Sequence, residues 1–241
     1  MSGRSLARAL AVSLVLIPLT TTVVGAEEGM WLLRRPPTQA IQAKYGFRID
    51  RAWLTHVQRS CVRMESSGSL VSSHGLLLPN HHVGVEWIER LSTPERNLLR
   101  DGFYAATPEE ELPCPGLEVQ LLDSIADVTM EVISAAKADQ DPGAAHEARQ
   151  RMMSRLEAEA KQRTGLDAEI VTLYQGARYH LYLYKRFDDV RLVFAPEERA
   201  ANFGGDVDNF EYPRFAYDLC FFRVYEKGKP YALDADLKRP V

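Results

Sequence analysis

The sequence predicts a mainly β fold with an α-helical insertion. Three observations carry that reading: short apolar runs punctuated by turn residues from residue 57 onward, a capped amphipathic stretch at 142–163, and a return to strand-like segments between 169 and 225. Of the 241 residues, 46% are hydrophobic and 26% charged, with 15 Gly and 13 Pro, the composition of a globular chain long enough for a substantial core. The formal charge of -4 excludes nucleic acid as the expected partner, because displacing counterions from phosphate requires a cationic surface.

The first 26 residues stand apart. Arg4 and Arg8 form a positive start, the stretch 9–24 is apolar apart from small hydroxyl residues, and Val24-Gly25-Ala26 precedes the polar pair Glu27-Glu28. This reads as a Sec-type signal peptide over 1–26; the apolar stretch is shorter than the ~20 residues a membrane span needs. The expectation is an exported chain, in the periplasm of a Gram-negative bacterium, with no membrane association after cleavage. Three cysteines allow at most one disulfide, and pairing of Cys61 with Cys114 stays open. Cys220, in the run Leu219-Cys220-Phe221-Phe222, reads as a buried apolar thiol.

The elements follow in order. Residues 56–65 and 68–72 read as strands, Ser73-His74-Gly75 as a turn, and Leu76-Leu77-Leu78 as the second strand of a hairpin ending at Pro79-Asn80. Residues 81–91 have the helical spacing Val85, Ile88, Leu91, with Asn80 as cap, so His81-His82 lies where a strand gives way to a helix. Residues 127–137 and 142–163 favour helix. The second has Asp141 as N-cap, Pro142 at its first position and Gly165 past its end. Its apolar positions Ala145, Ala148, Met152, Leu156 and Ala160 share one face, while Glu147/Arg151, Glu157/Lys161 and Glu159/Arg163 are spaced to pair on a solvated one. Strands resume at 169–173, 179–184, 190–194 and 217–225, with Glu226-Lys227-Gly228-Lys229 as a turn. A six-stranded barrel would accommodate them. The division expected is 27–121 as the first part of the β domain, 122–166 as the helical insertion and 167–241 as the remainder.

Two segments concentrate chemistry. In 68–83, a small-residue strand, a Gly-containing turn and an apolar strand lead into Asn80-His81-His82-Val83. In 202–219, Gly204-Gly205 is followed by Asp206, Asp208, Asn209, Phe210 and, further on, Asp218. The alternating acids lack the Gly and distal Glu of an EF-hand loop, and there is no His-Glu-x-x-His and no phosphate-cradling Gly loop, so neither metal nor other cofactor is expected.

The first segment resembles the hairpin that delivers the general-base His in trypsin-like peptidases, with His82 in that place and His81 facing elsewhere. Over nearly the whole mature length the chain resembles the bacterial serine dipeptidyl-peptidases of the type seven and type eleven family. The resemblance rests on Glu28-Gly29-Met30-Trp31, Asn80-His81-His82, Asp101-Gly102-Phe103-Tyr104-Ala105, Glu109-Glu110-Glu111-Leu112-Pro113, and Phe203-Gly204-Gly205-Asp206 with Asp208-Asn209.

It implies the N-terminal β-barrel of a chymotrypsin-like double-barrel peptidase. It also implies His82 as general base, Asp218 as triad acid, and Asn209 with Phe210 as part of the clamp on a substrate's free amino group. Val83 stands where the family usually has Cys, Phe210 where it has Trp, and Pro79 where it has Thr. Phe210 keeps an aromatic wall without the indole N–H, and Val83 removes a disulfide partner.

In such an enzyme a Ser hydroxyl attacks the peptide carbonyl, His82 takes its proton and Asp218 holds the imidazole tautomer. No Ser in this sequence sits in a Gly-x-Ser-Gly setting, and 23 residues follow Asp218, so a truncated frame or fragment that is inactive by itself is expected. The expected partners are peptides with a free N-terminus, and a homodimer is considered for the full-length form. Two other readings compete: a non-catalytic half-protein that binds peptides or a partner, and a trypsin-like periplasmic endopeptidase.

Overall fold

The structure, a computed structural model, describes residues 31–137, 141–205 and 215–233. The predicted signal peptide, Asn209 and Phe210 lie outside the described residues. The chain divides into a unit of residues 1–37 and a unit of residues 38–241. In the described part of the first, the Arg35 N–H donates to the Leu32 carbonyl at 2.8 Å.

The second unit runs α1 (Thr38–Tyr45), α2 (Arg51–Ser60), β1 (Cys61–Arg63), β2 (Ser67–Leu70), β3 (Leu76–Pro79), α3 (His81–Arg90), α4 (Leu98–Asp101), β4 (Phe103–Tyr104), β5 (Leu112–Pro113) and β6 (Val119–Asp127). It continues with α5 (Thr129–Ser134), α6 (Pro142–Thr164), β7 (Asp167–Leu173), β8 (Arg178–Phe187), β9 (Asp189–Ala195), α7 (Glu198–Ala201), β10 (Phe221–Glu226) and β11 (Lys229–Pro230). The strands form one antiparallel sheet in the order β4-β9-β10-β3-β2-β1-β6-β8-β7, with β11 on β10 and β5 on β9. The protein is thus mainly β with helices set between strands, as its sequence predicts.

The hairpin that leads to the His pair forms in the register Gly68↔Pro79, Ser69↔Leu78, Leu70↔Leu77. Ser72 Oγ accepts from the N–H groups of His74 (3.2 Å) and Leu76 (3.1 Å) to close its turn. Gly75 has φ 69°, and a Cβ there would lie 2.7 Å from the Val224 carbonyl oxygen, so both conformation and space demand glycine.

Three expectations are corrected. Residues 56–60 are helical, not strand: Asp50 Oδ1 accepts from Trp53 N–H at 2.8 Å and starts α2, which runs to Ser60 before β1 begins. Asp127 ends a strand, and the helix after it covers Thr129–Ser134, starting past the turn in which Asp127 Oδ1 accepts from the Thr129 N–H at 3.0 Å. The strand expected from 217 starts at Phe221: Tyr217 N–H bonds the Ala200 carbonyl (2.8 Å) instead of a ladder partner.

β6, absent from the sequence-based expectation, joins β1 to β8. A bulge between Leu122 and Ser124 breaks its alternation, and the extra residue, Asp123, gives its carbonyl to Gln58 Nε2 of α2 at 2.7 Å.

The long helix is as expected, with Asp141 Oδ2 accepting from Gly143 N–H (3.0 Å), Pro142 in its first turn and Gly165 at its close. Glu147 pairs with Arg151, but Glu157 instead accepts from the Ile170 N–H of β7, and Glu159 pairs with Arg155.

Two cores result. The larger gathers Leu77, Trp87, Ile88, Leu98, Leu192, Phe222 and Val224 behind the hairpin, α3 and α4. The smaller, with Val132, Ala160, Ile170, Tyr179 and Leu181, sits between α5, α6 and the β7–β8 hairpin. No helix among the described residues is long and apolar enough to cross a membrane. All three cysteines are free thiols, Cys114 and Cys220 buried and Cys61 exposed.

Candidate active site

The register of β10 on β3, Phe222↔Leu77 and Arg223↔Leu76, decides which residues meet. It sets the chain ahead of β10 beside the β3–α3 junction, where Cys220 N–H continues the pairing by donating to the Pro79 carbonyl at 3.2 Å. Asp218 stands just before Cys220, and Asn80 and the His pair stand just past the end of β3 on the other side.

Asp218 and His82, 136 positions apart, come together at this junction. His82 Nδ1 lies 2.8 Å from Asp218 Oδ2, and the His82 backbone N–H donates to Oδ1 at 3.0 Å. An ionised carboxylate offers acceptors only, so Nδ1 is the donor in this contact and Nε2 is the ring nitrogen left for another group. The Asp218 side chain is 6% exposed and the His82 side chain 62% exposed: the acid is covered, and the imidazole stands at the surface. Such a pair can take a proton from a group presented to Nε2, the imidazolium being held by the carboxylate behind it.

Asn80 occupies the N-cap position of α3, but its side chain makes no capping hydrogen bond. Its amide Nδ2 instead donates to both the Asp218 backbone carbonyl and Asp218 Oδ2, each at 3.1 Å. The sequence marks Asn80 as a cap and gives no sign of this, because the partner lies 138 positions away.

Gly84 is a residue that the sequence does not single out. A Cβ there would fall 2.8 Å from Cys220 Sγ and 2.9 Å from the Phe222 ring, so α3 seats on β10 and the segment leading into it only because this position has no side chain. Cys220 Sγ in turn donates to the Asn80 carbonyl at 3.4 Å, and burial pushes its thiol up to about 12.

His81 precedes His82 in the first turn of α3. It is buried, its Nε2 has no hydrogen-bond partner among the described residues, and burial lowers its pKa against the opposing pull of Asp218 and Glu198.

The acidic motif at 109–113 serves the sheet. Glu111, its side chain 2% exposed, accepts from Arg223 Nε (2.7 Å) and from the Tyr225 hydroxyl (2.8 Å), tying β10 from beneath. Burial and this hydrogen bond push the Tyr225 phenol up to about 12.

The antiparallel β fold thus sets a covered carboxylate against an exposed imidazole, and comparison with known proteins gives the family of the chain. The chain belongs to the Peptidase S46 family, which matches residues 26–239. It is 35% identical over 233 residues to an Asp/Glu-specific dipeptidyl-peptidase of Porphyromonas endodontalis, covering 90% of this chain and 32% of that protein. It is 32% identical to a dipeptidyl-peptidase 7 of Capnocytophaga gingivalis, covering 88% of this chain and 31% of that one. The crystal structure of Porphyromonas endodontalis DPP11 in complex with the dipeptide Arg-Glu superposes with a TM-score of 0.70 at 34% identity, over 88% of this chain and 33% of that one. The chain therefore spans about a third of the length of the relatives it matches.

Proposed function

We propose that these 241 residues are the base-bearing portion of an exported serine-type dipeptidyl aminopeptidase that releases dipeptides from peptides with a free N-terminus. One observation carries the reading: the 2.8 Å contact between His82 Nδ1 and Asp218 Oδ2, in a chain of the Peptidase S46 family. His82 acts as general base through Nε2, and Asp218 fixes its tautomer and stabilises the imidazolium that forms. Asn209 and Phe210 contribute to holding the substrate's ammonium group.

The β strands are the first barrel of a chymotrypsin-like pair, divided as 27–121 and 167–241 around a helical insertion at 122–166. The nucleophilic Ser comes from polypeptide beyond these residues, which makes this portion inactive by itself. The relatives are about three times as long, and no Ser here has a Gly-x-Ser-Gly setting. Residues 1–26 direct export to the periplasm.

The test is dipeptide release by the product of the whole reading frame, assayed with dipeptidyl-coumarin substrates carrying either a free or a blocked N-terminus. Turnover of the free substrates alone, abolished by His82→Ala, is expected. Equal turnover of blocked substrates would favour the endopeptidase reading, and no turnover the peptide-binding one. The 241-residue chain alone is expected to take up no fluorophosphonate; saturable labelling at one Ser would overturn the assignment of the nucleophile elsewhere.

A further inference from the structure

We infer that Asn80 is a positioning residue for the His82–Asp218 pair, an inference that rests on the proposed role of that pair. Three contacts define the geometry: Asn80 Nδ2 reaches the Asp218 carbonyl and Oδ2, each at 3.1 Å, and the same Oδ2 receives His82 Nδ1 at 2.8 Å.

The amide orientation follows from the partners, since a carbonyl and a carboxylate oxygen both accept, and only the NH₂ end of Asn80 can face them. By gripping main chain and side chain of one residue together, Asn80 restricts rotation of the carboxylate about its own bond to Cβ. It also fills a second acceptor direction on Oδ2, so that water reaching an imidazole as exposed as His82 cannot take its place. The Asn80 carbonyl is itself engaged, accepting from the N–H groups of Val83 (3.2 Å) and Gly84 (3.3 Å) at the start of α3 and from Cys220 Sγ at 3.4 Å. Backbone and side chain of one residue therefore join the start of the His-bearing helix to the Asp-bearing segment. A cap that merely started α3 would need neither contact with Asp218, and Asn80 makes no side-chain cap bond.

The experiment is nitrogen-detected NMR of the His82 imidazole in the purified 241-residue chain, comparing the parent with Asn80→Ala, Asn80→Asp and Asp218→Asn. The parent should show a single Nδ1–H tautomer. Asn80→Ala should lose that single-tautomer signature, the Nε2–H form becoming populated. Asn80→Asp, which sets a second carboxylate beside the ring, should raise the His82 titration midpoint by about 1 pH unit. Should the alanine variant not fold, Asn80→Ser, whose hydroxyl stops short of Asp218, replaces it.

Retention of the parent tautomer and midpoint in every Asn80 variant, while Asp218→Asn abolishes the tautomer preference, would overturn the role of Asn80 and leave the pair intact. If Asp218→Asn also left His82 unchanged, the pair itself would fall, and this inference with it. In the product of the whole reading frame, Asn80→Ala should lower kcat by about 10²-fold with KM unchanged, as expected for lost alignment.

Discussion

Asp218 receives two hydrogen bonds from His82 alone, one from its backbone N–H at 3.0 Å and one from its ring Nδ1 at 2.8 Å. Two-point attachment fixes where the ring begins and which way it turns, and leaves Nε2 facing outward.

Replacing Asp218 by Asn keeps the size of the side chain but puts an NH₂ where an acceptor stood. One of the donors now aimed at it then loses its partner, and the imidazole is free to take the wrong tautomer. In the product of the whole reading frame, kcat should fall by about 10⁴-fold, the loss seen when the same change is made in a Ser-His-Asp triad. Steady-state kinetics on a dipeptidyl-coumarin substrate measures it, with thermal melting as the control that the fold persists.

At Gly84 the limit is space. A leucine there has to displace Cys220 Sγ and the Phe222 ring, at the point where α3 seats on the strand leading from Asp218. The expected destabilisation is at least about 1–3 kcal/mol, the usual cost of overpacking a filled core. Urea unfolding of Gly84→Leu and Gly84→Ala should rank the two with leucine the worse; equal stability of both with the parent would contradict the packing described.

Glu111 is a buried charge with two donors. Glu111→Ala leaves the Arg223 guanidinium without its carboxylate and the Tyr225 hydroxyl without its acceptor. The loss expected from breaking a buried pair on one side is about 3–5 kcal/mol. Arg223 keeps a bond to the His74 carbonyl (2.9 Å) and is partly exposed, which places the value toward the lower end of that range. Equilibrium denaturation against the parent gives the number directly.

His81 sets a dependence on acidity. Its pKa is lowered from the ordinary 6.5 by burial, so below that value the unfolded chain binds a proton that the folded chain resists. The unfolded state then holds more protons, and stability falls as pH drops from 6.5 through the folded pKa. The nearby charges of Asp218 and Glu198 reduce the effect without reversing it. Melting temperatures followed from about pH 7.5 down to about pH 5 should decline less steeply in His81→Gln than in the parent, because glutamine has no proton to gain there. Parallel curves would remove His81 as the cause.

What is legible in the sequence is local. The helix α6 announces itself because its cap, its first-turn proline and its closing glycine are all neighbours in the chain. The β2–β3 hairpin and the place of His82 after it are readable for the same reason, the turn chemistry lying within a few residues. The end of α2 reads as strand because it runs without a turn residue into a true strand, and the deciding cap, Asp50, stands well ahead of the segment in question. β6 is hidden by its bulge, which interrupts the alternation that identifies a strand. The engagement of Asn80 has no local signal at all, since it depends on which strands lie side by side, and no single-chain pattern encodes that.

The smaller core has a further consequence. Val132, Ala160, Ile170, Tyr179 and Leu181 pack on one another at the far edge of the sheet, while the residues that frame His82 and Asp218 belong to the other cluster. The α5–α6 pair thus packs on β7 and the neighbouring half of β8 through apolar contacts of its own, while β8 stays paired along its length to β6. Evolution could lengthen, shorten or decorate that edge, and an experimenter could splice a reporter into it, without redrawing the junction where the imidazole meets its carboxylate.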